Sequence, residues 1–262
     1  MQTEPASSAP DNQTKTVDQS SPLRVRYRIR FSKAGLLRWT SHRDLARLWE
    51  RLLRRAQLKL SMSEGFHPKP RIGFPSALAL GTNGLNEVVE LDLAESPTAV
   101  SLLEKLRRDE QPGLSIHSVQ RMPEGFGKAK LARTVYCITF PDPDLAEPGS
   151  DAADVDRDQL NGQIQTLLER ETVSVQRKKK TLTANVSRQI LGLTVADRSL
   201  ELSLAASDSA TLKPTDILDL IGCSDWISLG SQITRTAVVL DREVDSPPPD
   251  TFAQSNEPPP MR

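Results

Sequence analysis

Between Arg24 and Phe31 the chain alternates basic and apolar residues. Val25, Tyr27, Ile29 and Phe31 fall on one face and Arg24, Arg26, Arg28 and Arg30 on the other. Period two is the signature of a strand with one buried face. The period then changes. Ser41 is a good N-cap and Asp44, three residues on, resembles a capping box. Leu45, Leu48, Trp49, Leu52, Leu53 and Ala56 make the buried stripe of a helix over 41–57. Further along, strands are predicted near 72–79 and 87–93, a helix at 97–109 and a strand at 114–121.

This order, βαββαβ, is the ferredoxin-like motif. A weaker copy of it follows the connector Pro123–Lys130. Thr134–Phe140 reads as a strand, Asp156–Glu171 as a helix, and Val186–Ala196 with Ser199–Ala206 as a hairpin. Pro214–Ile221 reads as a helix and Gln232–Leu240 as a last strand. The fold class expected is α+β, with two tandem ferredoxin-like domains at 23–122 and 134–241 joined by a linker at 123–133. Residues 1–22 are polar and unpatterned. Residues 242–262 include Pro247-Pro248-Pro249 and Pro258-Pro259-Pro260. Both ends read as disordered tails.

Charge changes this picture. The chain has a formal net charge of zero, but the stretch 24–71 holds 14 Lys or Arg against 3 acids. Residues 23–121 carry 18 basic and 10 acidic residues, and residues 134–241 carry 10 and 16. The first half is the expected anion binder, and phosphate is the usual partner of so dense a basic region. With the helices on one face of the first sheet, the arginine face of the first strand would be open. Glu90 and Asp92 share a strand face and could pair with Arg28 or Arg26.

On the helix, Arg43, Arg47 and Arg51 step by four residues, with Arg54 and Arg55 in the last turn. Late arginines also suit the helix dipole, and exposed charge can serve solubility alone. The loop Ser63-Glu64-Gly65-Phe66-His67-Pro68-Lys69-Pro70-Arg71-Ile72 is stiffened by its two prolines. It sets basic groups beside an aromatic ring, as a site that stacks on a base while holding its phosphate would need. The plain alternative is a rigid loop with Phe66 in the core. The candidate RNA contacts are Arg26, Arg28, Arg43, Arg47, Phe66, His67, Lys69 and Arg71.

Two of the three histidines, His42 and His67, fall in this region. Near bound RNA they could act as general base and acid in metal-independent strand cleavage, or serve as hydrogen-bonding groups. No acidic cluster accompanies them, so no metal site is expected. His117, on a strand, reads as structural. The run Arg177-Lys178-Lys179-Lys180 reads as a solvated loop that could extend an RNA path. Cys137 and Cys223 are the two cysteines, too few for an iron–sulfur cluster or a disulfide scaffold. No apolar leader and no run of membrane-spanning length is evident, so the expected compartment is the cytoplasm, with no membrane partner and no cofactor.

The segments Arg26–Lys33, Ser41-His42-Arg43-Asp44-Leu45, Arg54-Arg55-Ala56, Ser63–Ile72 and Ala79-Leu80-Gly81 together resemble the radical SAM-linked protein family of bacteria. Its members occur as separate chains or fused behind a radical SAM domain. The resemblance is specific over about residues 24–93 and extends to about 240. It implies a radical SAM enzyme as partner and carries over no catalytic residue. A looser resemblance, to the RNA-processing ferredoxin-like proteins of CRISPR systems, rests on tandem architecture, a histidine near the first helix and a Gly-Phe stretch. The chain departs from those proteins near its C-terminal end, where Leu229-Gly230-Ser231 stands in place of a glycine-rich loop. These observations make an RNA-binding accessory protein of a radical SAM enzyme, acting on tRNA or rRNA, the leading expectation. The alternatives are the His42/His67 endoribonuclease and a module that docks an acidic protein surface without nucleic acid.

Overall fold

The alternation at the start of the chain folds as it reads. In the computed structural model, which describes residues 23–109, 111–145, 155–177, 180–207 and 211–244, it forms strand β1 (Val25–Lys33). The first half continues with helix α1 (His42–Arg55), β2 (Ile72–Gly73), β3 (Asn83–Leu93), α2 (Ala99–Arg107) and β4 (Leu114–Arg121). The second half comprises β5 (Leu131–Thr139), α3 (Arg157–Leu168), β6 (Thr172–Arg177), β7 (Lys180–Asn185), α4 (Val186–Gln189), β8 (Ile190–Val195), β9 (Ser199–Ala205), α5 (Pro214–Leu220) and β10 (Ile233–Leu240). The class is α+β, dominated by sheet.

One eight-stranded sheet runs through both halves. Its order is β4-β1-β3-β10-β5-β9-β8, with β2 alongside β3. The halves join where β3 and β10 run parallel, at Thr234 opposite Asn83 and Arg235 opposite Gly84. The C-terminal half of β3 pairs instead with β2, Ile72 lying opposite Leu91. Each half therefore has its own antiparallel set, β4-β1-β3-β2 and β10-β5-β9-β8.

Two apolar cores lie on the helix-bearing face. In the first, Tyr27, Ile29 and Phe31 meet Leu45, Trp49, Leu52 and Leu53 of α1 and Leu102 and Leu106 of α2. Ser41 caps α1, its Oγ accepting from the Asp44 N–H at 3.2 Å and donating to Asp44 Oδ2 at 2.7 Å. Leu52 is fully buried, so Leu52→Ala would cost roughly 2–5 kcal/mol. The second core gathers Leu160, Ile164 and Leu167 of α3, Leu200, Leu202 and Leu204 of β9, and Ile217 and Trp226.

Several elements differ from the sequence reading. The strand expected over 72–79 stops at Gly73, because Pro75 has no N–H to donate and the Ala77 carbonyl turns to accept from Arg235 at 3.0 Å. β3 starts at Asn83, ahead of the expected 87, and runs through Gly84 and Asn86, residue types whose propensity favours turns. A Cβ on Gly84 would lie 2.6 Å from Glu87 Cγ, so the close approach requires glycine. Residues 186–189 form a helical turn capped by Asn185, before the strand they were expected to begin. The β6–β7 hairpin had no counterpart in the reading. Arg177 ends β6 and Lys180 begins β7, while Lys178 and Lys179 lie outside the described residues. So do the expected tail 1–22 and residues 245–262 of the expected tail 242–262, whose first residues instead pack onto the sheet.

Candidate nucleic-acid interface

The arginine face of β1 is covered at Arg28 and partly at Arg30, contrary to the open surface expected, while Arg24 stays exposed and Arg26 half-buried. Residues 122–129 and 241–244 lie across it. Arg28 is 3 % exposed. Its Nε and Nη2 donate to Glu90 Oε1 at 3.1 and 3.0 Å, and its Nη1 donates to the Arg242 carbonyl and Glu243. Phe126 stands 5.7 Å from the Arg28 guanidinium and 5.5 Å from that of Arg242. The Ala129 N–H donates to Glu90 Oε2 at 2.8 Å. Arg30 donates to Glu243 and, at 2.7 Å, to the Val238 carbonyl. Burial lowers the Arg30 pKa from its usual value, with Glu243 opposing the shift. The cross-strand pairs suggested by the sequence are present, Arg28 with Glu90 and Arg26 with Asp92. Glu243, from the segment read as the start of a tail, supplies a third acid. Arg28 is thus taken up inside the molecule and is a structural cation.

A second buried ionic group lies at the joint between the halves, on the helix-bearing face. Arg235 is 2 % exposed and grips Glu87 with Nε and Nη2, while its Nη1 donates to Ser76 Oγ at 2.9 Å. Burial disfavours charge on Arg235, yet Glu87 and Tyr136 hold its pKa above the usual value. Lys33, fully buried beside them, donates to the carbonyls of Thr40 at 2.7 Å and Arg38 at 3.3 Å. Its pKa is lowered, chiefly by burial.

Helix α1 presents the opposite arrangement. Its leucine and tryptophan stripe is buried, and Arg43, Arg47, Arg51, Arg54 and Arg55 are all exposed. Arg47 lies 3.3 Å from Asp44 and Arg55 2.5 Å from Asp109. Arg43, Arg51 and Arg54 form no ion pair among the described residues. From Arg43 to Arg55 this basic ribbon is about 18 Å long, at ~1.5 Å per residue.

The loop after α1 is closed on itself. The Ser63 N–H donates to the Lys69 carbonyl at 2.7 Å and the Lys69 N–H to Ser63 Oγ at 3.0 Å. Arg71 fastens its base, donating through Nε to the Met62 carbonyl at 3.0 Å and pairing with Glu64 at 3.4 Å. Gly65, at φ +115°, makes the turn that a side chain would strain. Phe66 is at the apex and fully exposed, at 101 %. It does not enter the core. His67 and Lys69 beside it are also exposed.

The exposed His42 ring packs edge-on against Phe74, with centroids 5.1 Å apart, and no hydrogen bond or ring contact links it to the exposed His67 among the described residues. His117 Nε2 lies 2.9 Å from the Leu85 carbonyl, a structural bond. No group of three or more His, Cys, Asp or Glu among the described residues could hold a metal ion. No helix among them is long and apolar enough to cross a membrane. Two participants escaped the sequence reading, Phe126 and Glu243. The glycines flanking Phe126 were the only local sign of a tight turn that could carry a ring onto the sheet.

No curated protein matches the chain in sequence. Residues 26–214, which hold every candidate contact named above, match DUF2344, described as an uncharacterized protein conserved in bacteria, and the chain belongs to that family.

Proposed function

We propose that this is an RNA-binding accessory protein whose contact surface is the outer face of α1 together with the loop apex at Phe66. The observation that carries the reading is the exposure of five arginines on one helix, with a fully exposed phenylalanine followed by the exposed His67 and Lys69 in the next loop. Guanidinium groups with few acid partners attract phosphate, and an aromatic ring held in solvent by a rigid loop suits a base face. Arg43, Arg47, Lys69 and His67 are the candidate phosphate contacts, joined by Arg51 and Arg54. Arg26 contributes from the sheet. Arg71 holds the loop, and Arg28 holds the fold.

The partner we propose is a radical SAM enzyme that modifies structured RNA, tRNA or rRNA, in the cytoplasm. Support comes from the resemblance carried by Arg26–Lys33 and Ser63–Ile72. We also read the halves as two ferredoxin-like units fused edge to edge, since each repeats one strand order around its own core.

Crosslinking of the protein to total cellular RNA at near-physiological salt tests the function. Enrichment of one RNA class, lost in a Phe66→Ala/Lys69→Ala protein, is expected. Equal recovery of RNA by that variant contradicts the assignment.

A further inference from the structure

Arg26 of β1 and Arg24, just ahead of the strand, are two residues apart, and both are held by one carboxylate. Arg24 Nε donates to Asp92 Oδ2 at 2.6 Å and Arg26 Nε to Asp92 Oδ1 at 3.0 Å. Asp92 is 5 % exposed, and both of its oxygens are engaged. Because each arginine is fixed through Nε, the terminal amino nitrogens of both guanidinia have no partner among the described residues. Arg24, Arg26 and Asp92 line a cleft of about 820 Å³, which is also lined by the turn Met122–Gly127 carrying Phe126. That volume lies within the range of roughly 300–1,000 Å³ typical of small-ligand sites.

The arrangement differs from an ordinary surface ion pair. One acid orients two cations and can neutralise only one of them. Glu124, at the exposed rim, is the other acid lining the cleft, and Arg121 lies on the same rim. Planar guanidinium forks fixed in place recognise tetrahedral oxyanions through paired N–H donors, at lower entropic cost than free side chains. We propose that this cleft binds the phosphoryl group of a nucleotide, with Arg24 and Arg26 as the anion clamp and Asp92 as the positioning residue. The source is a free mononucleotide or a nucleotide of bound RNA. The second case rests on the function proposed above, and the first stands without it.

The test is titration of the full-length protein with AMP, with inorganic phosphate, and with a short RNA bearing either a 5′-phosphate or a 5′-hydroxyl, followed by amide chemical shifts. Saturable AMP binding is expected, with shifts at Arg24, Arg26 and Met122–Gly127, weakened roughly tenfold or more by Arg24→Gln. Arg24 is partly exposed, so this variant should keep the wild-type melting temperature, which is measured alongside. Arg43→Ala should leave AMP binding unchanged. A preference for the 5′-phosphorylated RNA assigns the site to RNA ends, and equal binding of both RNAs with tight AMP binding assigns it to free nucleotide. Absence of saturable binding by AMP and phosphate, or binding insensitive to Arg24→Gln, overturns the proposal. If AMP binding persists while Phe66→Ala/Lys69→Ala recovers as much RNA as wild type, the function proposed above fails and the cleft stands.

Discussion

Arg28 and Arg30 on β1 and Arg43 and Arg51 on α1 come from one short basic stretch, yet they meet opposite environments. The strand arginines face acids from β3 and the C-terminal segment, under a cover that includes Phe126. Arg43 and Arg51 face solvent and have no ion-pair partner among the described residues. Charge density in sequence therefore does not measure charge available for binding. A strand sends alternate side chains to a sheet face that later segments can cover. The outward face of the helix packed on the opposite side has no covering segment among the described residues. The difference also assigns tasks. Desolvated cations must be paired, and losing a partner is costly, whereas exposed ones contribute little to stability and are free to meet a ligand.

The largest effect should come from the buried side of the comparison. Glu87→Ala leaves Arg235 unpaired and enclosed, and urea denaturation should show a loss of roughly 3–5 kcal/mol. A loss below about 1 kcal/mol, well under the usual ~3 kcal/mol, would mean the joint between the halves tolerates free charge. Next, Phe66→Ala should weaken RNA binding by roughly 1–3 kcal/mol per stacked base while leaving the melting curve unchanged. A drop in melting temperature would instead make Phe66 structural. Glu243→Ala removes a half-exposed partner of Arg28 and Arg30, so a stability loss of only about 1 kcal/mol is expected after solvent screening. If RNA then binds more tightly, the strand arginines are latent contacts and the comparison is one of cover alone. The smallest effect on stability belongs to Arg43→Ala/Arg51→Ala, whose unfolding midpoint should match the wild type.

The local parts of this architecture were legible. Period two placed β1 and its arginine face, and the spacing of Leu45, Trp49 and Leu52 placed α1 and its buried stripe. Glu90 and Asp92 could be matched to Arg28 and Arg26 because cross-strand pairing follows from alternation. The cover was not legible. Glu243 meets Arg28 across 215 positions, and no local pattern encodes such a contact. The joint between the halves rests on two residue pairs of β3 and β10, at Asn83 and Gly84, residues whose propensity favours turns. The β6–β7 hairpin was hidden because its threonines and serine face solvent, and only Val173, Val175, Leu182 and Ala184 mark its buried side. At the site, the loop chemistry was readable, and the exposure of Phe66 was one of two readings left open.

The central claim is that the helix arginines bind RNA and the buried strand arginines do not. It is tested most directly by the salt dependence of RNA affinity in Arg43→Ala, Arg51→Ala and Arg28→Lys proteins, each first shown to be folded. Each helix substitution should lower the slope of log affinity against log salt by roughly 0.7 for single-stranded contacts, and Arg28→Lys should leave it unchanged. Unchanged slopes for both helix variants, or a lowered slope for Arg28→Lys, would contradict the account.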